Sequence, residues 1–197
     1  MITAILQAGT LLFTASSILF LFSKKQQGNF NTAFLVSFVT LISYFLMWQG
    51  GLEIESLGGQ PIFWTRWLFY AASCGLLMYE IGRARKVNPE RLAELIYLTV
   101  IVMFTGFLAA RTLVIVKWVY FIISSVAYVI LVIKLFKART EETKWIDNYI
   151  YFGWTVFPLV FLLGPTGLGL IGSVITNGAY LLLDLYTKII FNVQLKR

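Results

Sequence analysis

Seven stretches of roughly twenty mostly apolar residues follow one another along this chain, at about 2–23, 30–49, 61–82, 90–110, 113–137, 143–164 and 169–193. A helix needs about 20 such residues to cross the hydrocarbon of a bilayer. Inside lipid every backbone N–H and C=O must be paired within its own segment, so helices are the economical solution. The strict alternation of a membrane strand is absent, which argues against a barrel. The chain has 197 residues, 59% of them hydrophobic, more apolar side chain than a soluble domain of this size needs. The polar breaks are short, leaving room for one compact domain over 1–197 and no separate soluble one. The expectation is an all-α membrane protein, a seven-transmembrane-helix bundle that crosses the cell membrane as a multi-pass integral protein. Segment 2–23 lacks a basic leader and a clean small-residue cleavage site, so it is read as the first helix and not as a signal peptide.

The net charge is +7, and its distribution says more than its sum. Lys24 and Lys25 follow the first segment, and Arg83, Arg85, Lys86 and Arg91 lie between the third and fourth. Lys134, Lys137, Arg139 and Lys144 surround the junction of the fifth and sixth, and Lys196 and Arg197 end the chain. With seven crossings all four clusters fall on one side. The other side has Glu53 and Glu55 in its first loop and only Arg111 and Lys117 near its second. The positive-inside rule then predicts an extracellular N-terminus and a cytoplasmic C-terminus. The basic surplus is better explained by topology and anionic membrane lipid than by nucleic acid. Cys74 is the sole cysteine, so no internal disulfide can form, and there is no histidine. Metal triads and Ser–His arrangements are therefore out of reach, which speaks against an enzyme and leaves proton chemistry to carboxylates, tyrosines, lysine and water.

Local punctuation places the segment ends. Leu52 to Ser56 alternates between two glycine pairs and predicts a short hairpin. Asn88-Pro89 starts the fourth helix, Glu141 and Glu142 suit the positive end of the sixth, and Gly164-Pro165-Thr166-Gly167 forms a turn after it. Pro158 removes one hydrogen bond inside the sixth helix, either as ordinary packing or as a hinge or pocket wall.

Charged residues inside the apolar segments carry the chemistry. Lys188 lies within 179–191 with Asp184 four residues before it, on the same helical face. Two readings fit: a structural pair or snorkelling lysine, or a desolvated amine able to form an imine. In the third segment Arg66 and Glu80 are separated by about 21 Å of helix at 1.5 Å per residue. Glu80 reads either as an interfacial carboxylate balanced by Arg83 or as an inner proton-handling group. Trp154, Phe157, Pro158 and Phe161 recur at helical spacing, the pattern of core packing and also of a wall for a long conjugated ligand.

Together these residues resemble the microbial rhodopsins. Asp184-Leu185-Tyr186-Thr187-Lys188 is similar to that family's counterion and retinal-linking lysine, and Trp154, Phe157, Pro158 and Phe161 to its helix-six pocket wall. Thr105-Gly106-Phe107-Leu108 resembles its small-residue patch near the ionone ring. Two registers of helix three are open. One places Arg66 beside the imine, where two cations repel. The other takes Arg66 as the family's helix-three arginine, with Phe69 at the usual acceptor position, Ser73 and Cys74 at the threonine pair and Glu80 at the inner donor position. The second resembles the schizorhodopsins.

The resemblance implies all-trans retinal on Lys188, with Asp184 as counterion stabilised by Arg66. It implies a pocket drawn from Tyr70, Ser73, Cys74, Leu77, Gly106, Phe121, Trp154, Phe157, Pro158 and Phe161. It further implies a light-driven inward proton pump, with Glu80 governing release to the cytoplasm, and a homotrimer in membrane lipid. The alternative is a photosensor without net transport.

Overall fold

The computed structural model describes residues 1–23, 31–50 and 52–195. Lys24, Lys25, Lys196 and Arg197 of the basic clusters lie outside the described residues. Seven helices form the bundle: α1 (Ile2–Leu21), α2 (Thr32–Gln49), α3 (Trp64–Ala84), α4 (Pro89–Arg111), α5 (Val114–Lys137), α6 (Glu141–Leu163) and α7 (Ser173–Leu195). Six are long and apolar enough to span a bilayer. The other is α3, which carries Arg66, Glu80 and Arg83 and so falls short in hydropathy while completing the bundle.

The ends follow the local chemistry. The Asn88 side chain accepts from Arg91 N at 2.9 Å, and Pro89 takes the first helical position of α4, where no N–H is missed. Gly50, at φ 71°, closes α2 in the left-handed region. The predicted hairpin exists, but its second strand comes from the start of the third apolar segment. Strands β1 (Glu53–Glu55) and β2 (Pro61–Phe63) pair antiparallel, Ile54 opposite Ile62. Gly59, at φ 73°, makes the turn between them, and the Ser56 hydroxyl accepts from Gln60 N at 2.9 Å. Helix α3 therefore begins at Trp64 and not at 61. Similarly, α7 begins at Ser173 and not at 169, because Gly169 is left-handed and Gly172 is extended.

Two helices change their winding midway. In α6 a π-helical segment, Tyr149–Trp154, precedes the α-helical Thr155–Leu163 that holds Pro158. In α7 the π-helical Leu185–Ile190 contains Lys188. A π turn shifts the hydrogen-bond ladder by one residue and is frequent at functional sites. At the first of these, the Ile150 carbonyl accepts from Thr155 Oγ1 at 3.3 Å and Tyr128 OH at 3.4 Å.

Three apolar clusters hold the bundle, one of them Ile62, Ala109, Ala110 and Phe161. Near the basic end Val36, Leu77, Met78, Ile81, Leu95, Leu135, Ile146 and Phe191 pack together. Near the hairpin end Leu6, Phe13, Tyr44, Met47 and Leu181 join α1, α2 and α7. A Cβ on Gly9 would collide with the Tyr44 ring, so glycine there lets that ring seat against α1. Helices α4 and α5 bury the smallest share of their side chains and present apolar faces outward, as lipid-facing helices do.

Candidate functional site

Lys188 and Asp184 are one turn apart on α7, and their heads meet. Lys188 Nζ lies 2.9 Å from Asp184 Oδ1, with side chains 1% and 0% exposed. The contact is an ion pair outside hydrogen-bond alignment. Two tyrosines from other helices hold the second carboxylate oxygen. Tyr44 OH donates to Asp184 Oδ2 at 2.8 Å, and Tyr70 OH donates to the same oxygen. Nζ also stands 3.8 Å from the Tyr70 ring centroid, within cation–π range. Helices α2, α3 and α7 thus converge on one carboxylate, which desolvation would make costly without those donors.

Arg66 is buried and donates from Nη2 to Asn177 Oδ1 at 2.6 Å. Asn177 lies seven residues before Asp184, about 10.5 Å along the helix toward the hairpin end. The guanidinium also covers the Tyr180 ring at 4.8 Å. This arrangement puts Arg66 on the hairpin side of Asp184. Among the described residues no carboxylate lies within ion-pair distance of Arg66. In their usual charge states Arg66, Lys188 and Asp184 therefore leave one excess positive charge in this half of the bundle.

An apolar cavity runs from Lys188 between α3, α4, α5 and α6. Of the sequence-predicted pocket residues, Tyr70, Cys74, Gly106, Phe121, Trp154, Phe157, Pro158 and Phe161 line it. Ser73, Leu77 and Asp184 are fully buried beside it but do not line it, and Phe69 is half-buried outside it. The structure adds Trp67, Met78, Thr99, Met103, Ser124, Tyr128, Tyr180 and Thr187. Phe121 stacks on Phe161 at 5.6 Å, and Trp67 meets Phe161 edge-on at 5.9 Å. A Cβ on Gly106 would sit 2.7 Å from the Trp67 ring and push it into the cavity. A long conjugated group joined to Nζ fits this shape: aromatic walls along its length, an amine at one end and a carboxylate beside the amine. Among the described residues no group of three His, Cys, Asp or Glu could hold a metal ion.

Glu80 is more deeply placed than an interfacial carboxylate. It is 5% exposed and makes no ion pair among the described residues. Arg83 instead lies over the Tyr79 ring at 5.6 Å. Sequence reasoning did not single out Tyr44 and Asn177, although both are polar residues inside apolar helices. Tyr44 continues a stripe of Ser37, Thr40 and Ser43, which recurs at helical spacing.

The profile of the bacteriorhodopsin-like protein family matches residues 1–196. The crystal structure of schizorhodopsin 4 superposes with a TM-score of 0.91 at 36% identity, over 100% of both chains. Cruxrhodopsin-3 of Haloarcula vallismortis is 25% identical over 196 residues, 88% of this chain and 78% of that protein. Halorhodopsin, a light-driven chloride pump, superposes with a TM-score of 0.85 at 23% identity over 100% of this chain and 93% of its own, a likeness of fold alone.

Proposed function

Because this chain belongs to the bacteriorhodopsin-like family of microbial rhodopsins, whose members carry retinal on a lysine, we propose that it is a light-driven inward proton pump of the schizorhodopsin type. Lys188 would hold all-trans retinal through an imine at Nζ, and the group would supply light absorption and a light-driven change of shape there. Trp154, Phe157, Pro158, Phe161, Phe121, Tyr70, Cys74 and Gly106 hold its length. The basic end lies in the cytoplasm, as the positive-inside rule requires.

Direction follows from which groups are able to take the proton from Nζ. On the outer side Asp184 is, among the described residues, the only carboxylate in ion-pair contact with Nζ; its Oδ2 accepts from Tyr44 and Tyr70, and its Oδ1 faces Nζ. Phe69, the residue before Tyr70, is a hydrocarbon ring and accepts nothing. Arg66 adds a positive charge toward the outside, which repels a departing proton. On the inner side Glu80 offers a buried carboxylate that makes no ion pair among the described residues. The proton therefore leaves Nζ toward Glu80 and passes by water to the cytoplasm. Nζ regains a proton from outside, past Arg66, Asn177 and Asp184.

The single observation that carries this reading is the one carboxylate in ion-pair contact with Nζ among the described residues, its Oδ2 held by two tyrosines, with Arg66 bonded to Asn177 and not to a carboxylate on its outer side. Its test is Glu80→Gln in the full pigment. We expect the visible band to remain while light-driven proton uptake into the cell stops or slows at least about tenfold; normal uptake refutes the role of Glu80. The trimer is part of the same reading, to be read from the mass of the solubilised pigment. A stable coloured protein that moves no protons in light would favour the photosensor.

A further inference from the structure

Many buried or part-buried hydroxyls in this bundle satisfy themselves on their own helix. Thr10, Ser17, Thr40, Thr99, Ser125 and Thr187 each donate to the carbonyl four residues back, at 2.7–2.9 Å. Ser37, Ser43, Thr65 and Ser73 do not, and of these Ser37 and Ser73 lie at least three residues from Tyr44 and Tyr70 toward the basic end. Both are 0% exposed. Ser37 Oγ has no hydrogen-bond partner, and Ser73 Oγ has none beyond a weak contact with the adjacent Cys74 thiol. The local bond was available to each, yet the hydroxyls are left for a partner off the helix. A buried hydroxyl with no partner costs about 1–3 kcal/mol, and internal water is the usual remedy where polar groups are close enough to share it.

The helix register puts these two hydroxyls in line. Tyr44 and Tyr70 reach the same oxygen of Asp184, so residue 44 of α2 and residue 70 of α3 share one level. The helices are antiparallel neighbours, with Val36 and Leu77 in one core. Counting 1.5 Å per residue toward the basic end, Ser73 lies about 4.5 Å below that level, Ser37 about 10.5 Å and Glu80 about 15 Å. The axial offsets between them are each about 4.5–6 Å, which sets the two hydroxyls in order between Nζ and Glu80 along the bundle.

We infer that Ser73 and Ser37 carry the water-mediated proton path from Lys188 Nζ to Glu80, and that Ser37, contributed by α2, is its middle station. The inference rests on the inward-pump reading and adds to it the route. Each hydroxyl accepts a proton on its oxygen and gives up its own, so no charge is left behind and no group other than Nζ and Glu80 changes state.

The test uses the complete pigment with Ser37→Ala. Ser37 lies well away from Asp184, so the dark absorption maximum is expected to stay in place. Release of the proton to the basic side should slow about tenfold or more. Infrared difference spectra in light and heavy water, repeated with ¹⁸O water, should lose at least one water O–D stretching band. Wild-type release kinetics or a complete set of water bands in Ser37→Ala would overturn the proposal, as would a shifted dark maximum, which would mean the residue acts on the pigment itself. If the unsubstituted protein moves no protons inward, the pump reading fails by that measurement, while the infrared comparison still decides whether Ser37 holds water.

Discussion

Arg85 offers a test of how the basic end of the bundle is tied. Its side chain is 0% exposed and sits just beyond the last turn of α3. Nη1 donates to Leu135 O at 2.5 Å, and Nη2 donates to Asp147 Oδ1 at 2.5 Å and to Thr143 O at 3.4 Å. One guanidinium thus joins the ends of α3 and α5 to the start of α6. Arg85→Met keeps most of the length and removes the charge. Removing one partner of a buried pair costs about 3–5 kcal/mol, because the other charge is stranded. Here Arg139 still donates to Asp147 Oδ2 at 3.2 Å, but its side chain is 33% exposed and such a contact is worth only about 0–1 kcal/mol. The expected loss is therefore near the lower bound, about 3 kcal/mol. Arg85→Met with Asp147→Leu removes the stranded charge as well and should recover most of that loss. The assay is denaturant titration of the solubilised pigment, followed by loss of the visible band, for wild type, both single variants and the double. A single Arg85→Met within about 0.5 kcal/mol of wild type, or a double variant whose loss is the plain sum of the singles, would refute the reasoning.

Three further outcomes follow from the site. Lys188→Ala should form no covalent pigment, read as no visible band after retinal is added to the expressed protein. Asp184→Asn removes the only carboxylate at 2.9 Å from Nζ and should move the band to longer wavelength, since the positive charge is then less confined to the nitrogen; an unmoved maximum would contradict its role as counterion. Gly153→Ala drives a Cβ into Thr187 Cγ2 and to 3.3 Å from the Tyr186 ring, where the π segments of α6 and α7 face each other. Overpacking of that kind costs about 1–3 kcal/mol, read in the same denaturant titration.

Much of the fold was legible because lipid imposes one rule on every segment: twenty apolar residues, a helix, a polar break. The Asn88-Pro89 start and the Lys188–Asp184 pair were legible for the same local reason, since both depend on positions a few residues apart. The contacts that shape the site are of another kind. Tyr44 and Asp184 are 140 residues apart, Arg66 and Asn177 111, and Arg85 and Asp147 62. Such pairs depend on which helices become neighbours, which no single segment encodes. Residues 61–63 were taken as helix because Pro61-Ile62-Phe63 continues an apolar run; strand pairing with Glu53–Glu55 decides otherwise. The π segments were invisible, because a one-residue shift in hydrogen bonding barely alters apolar spacing. Glu80 was open to an interfacial reading from its sequence neighbour Arg83, whereas rotation around α3 turns it inward.

Proton movement is directed inward by the charges around Nζ: Asp184 beside it and Arg66 on the outer side. It is tested most directly by the pH outside unbuffered cells that express the protein with retinal, under illumination and again with a protonophore. The account predicts light-dependent alkalinisation of the medium, abolished by the protonophore. Acidification of the medium would contradict it, because the proton would then have left Nζ outward, against the positive charge of Arg66.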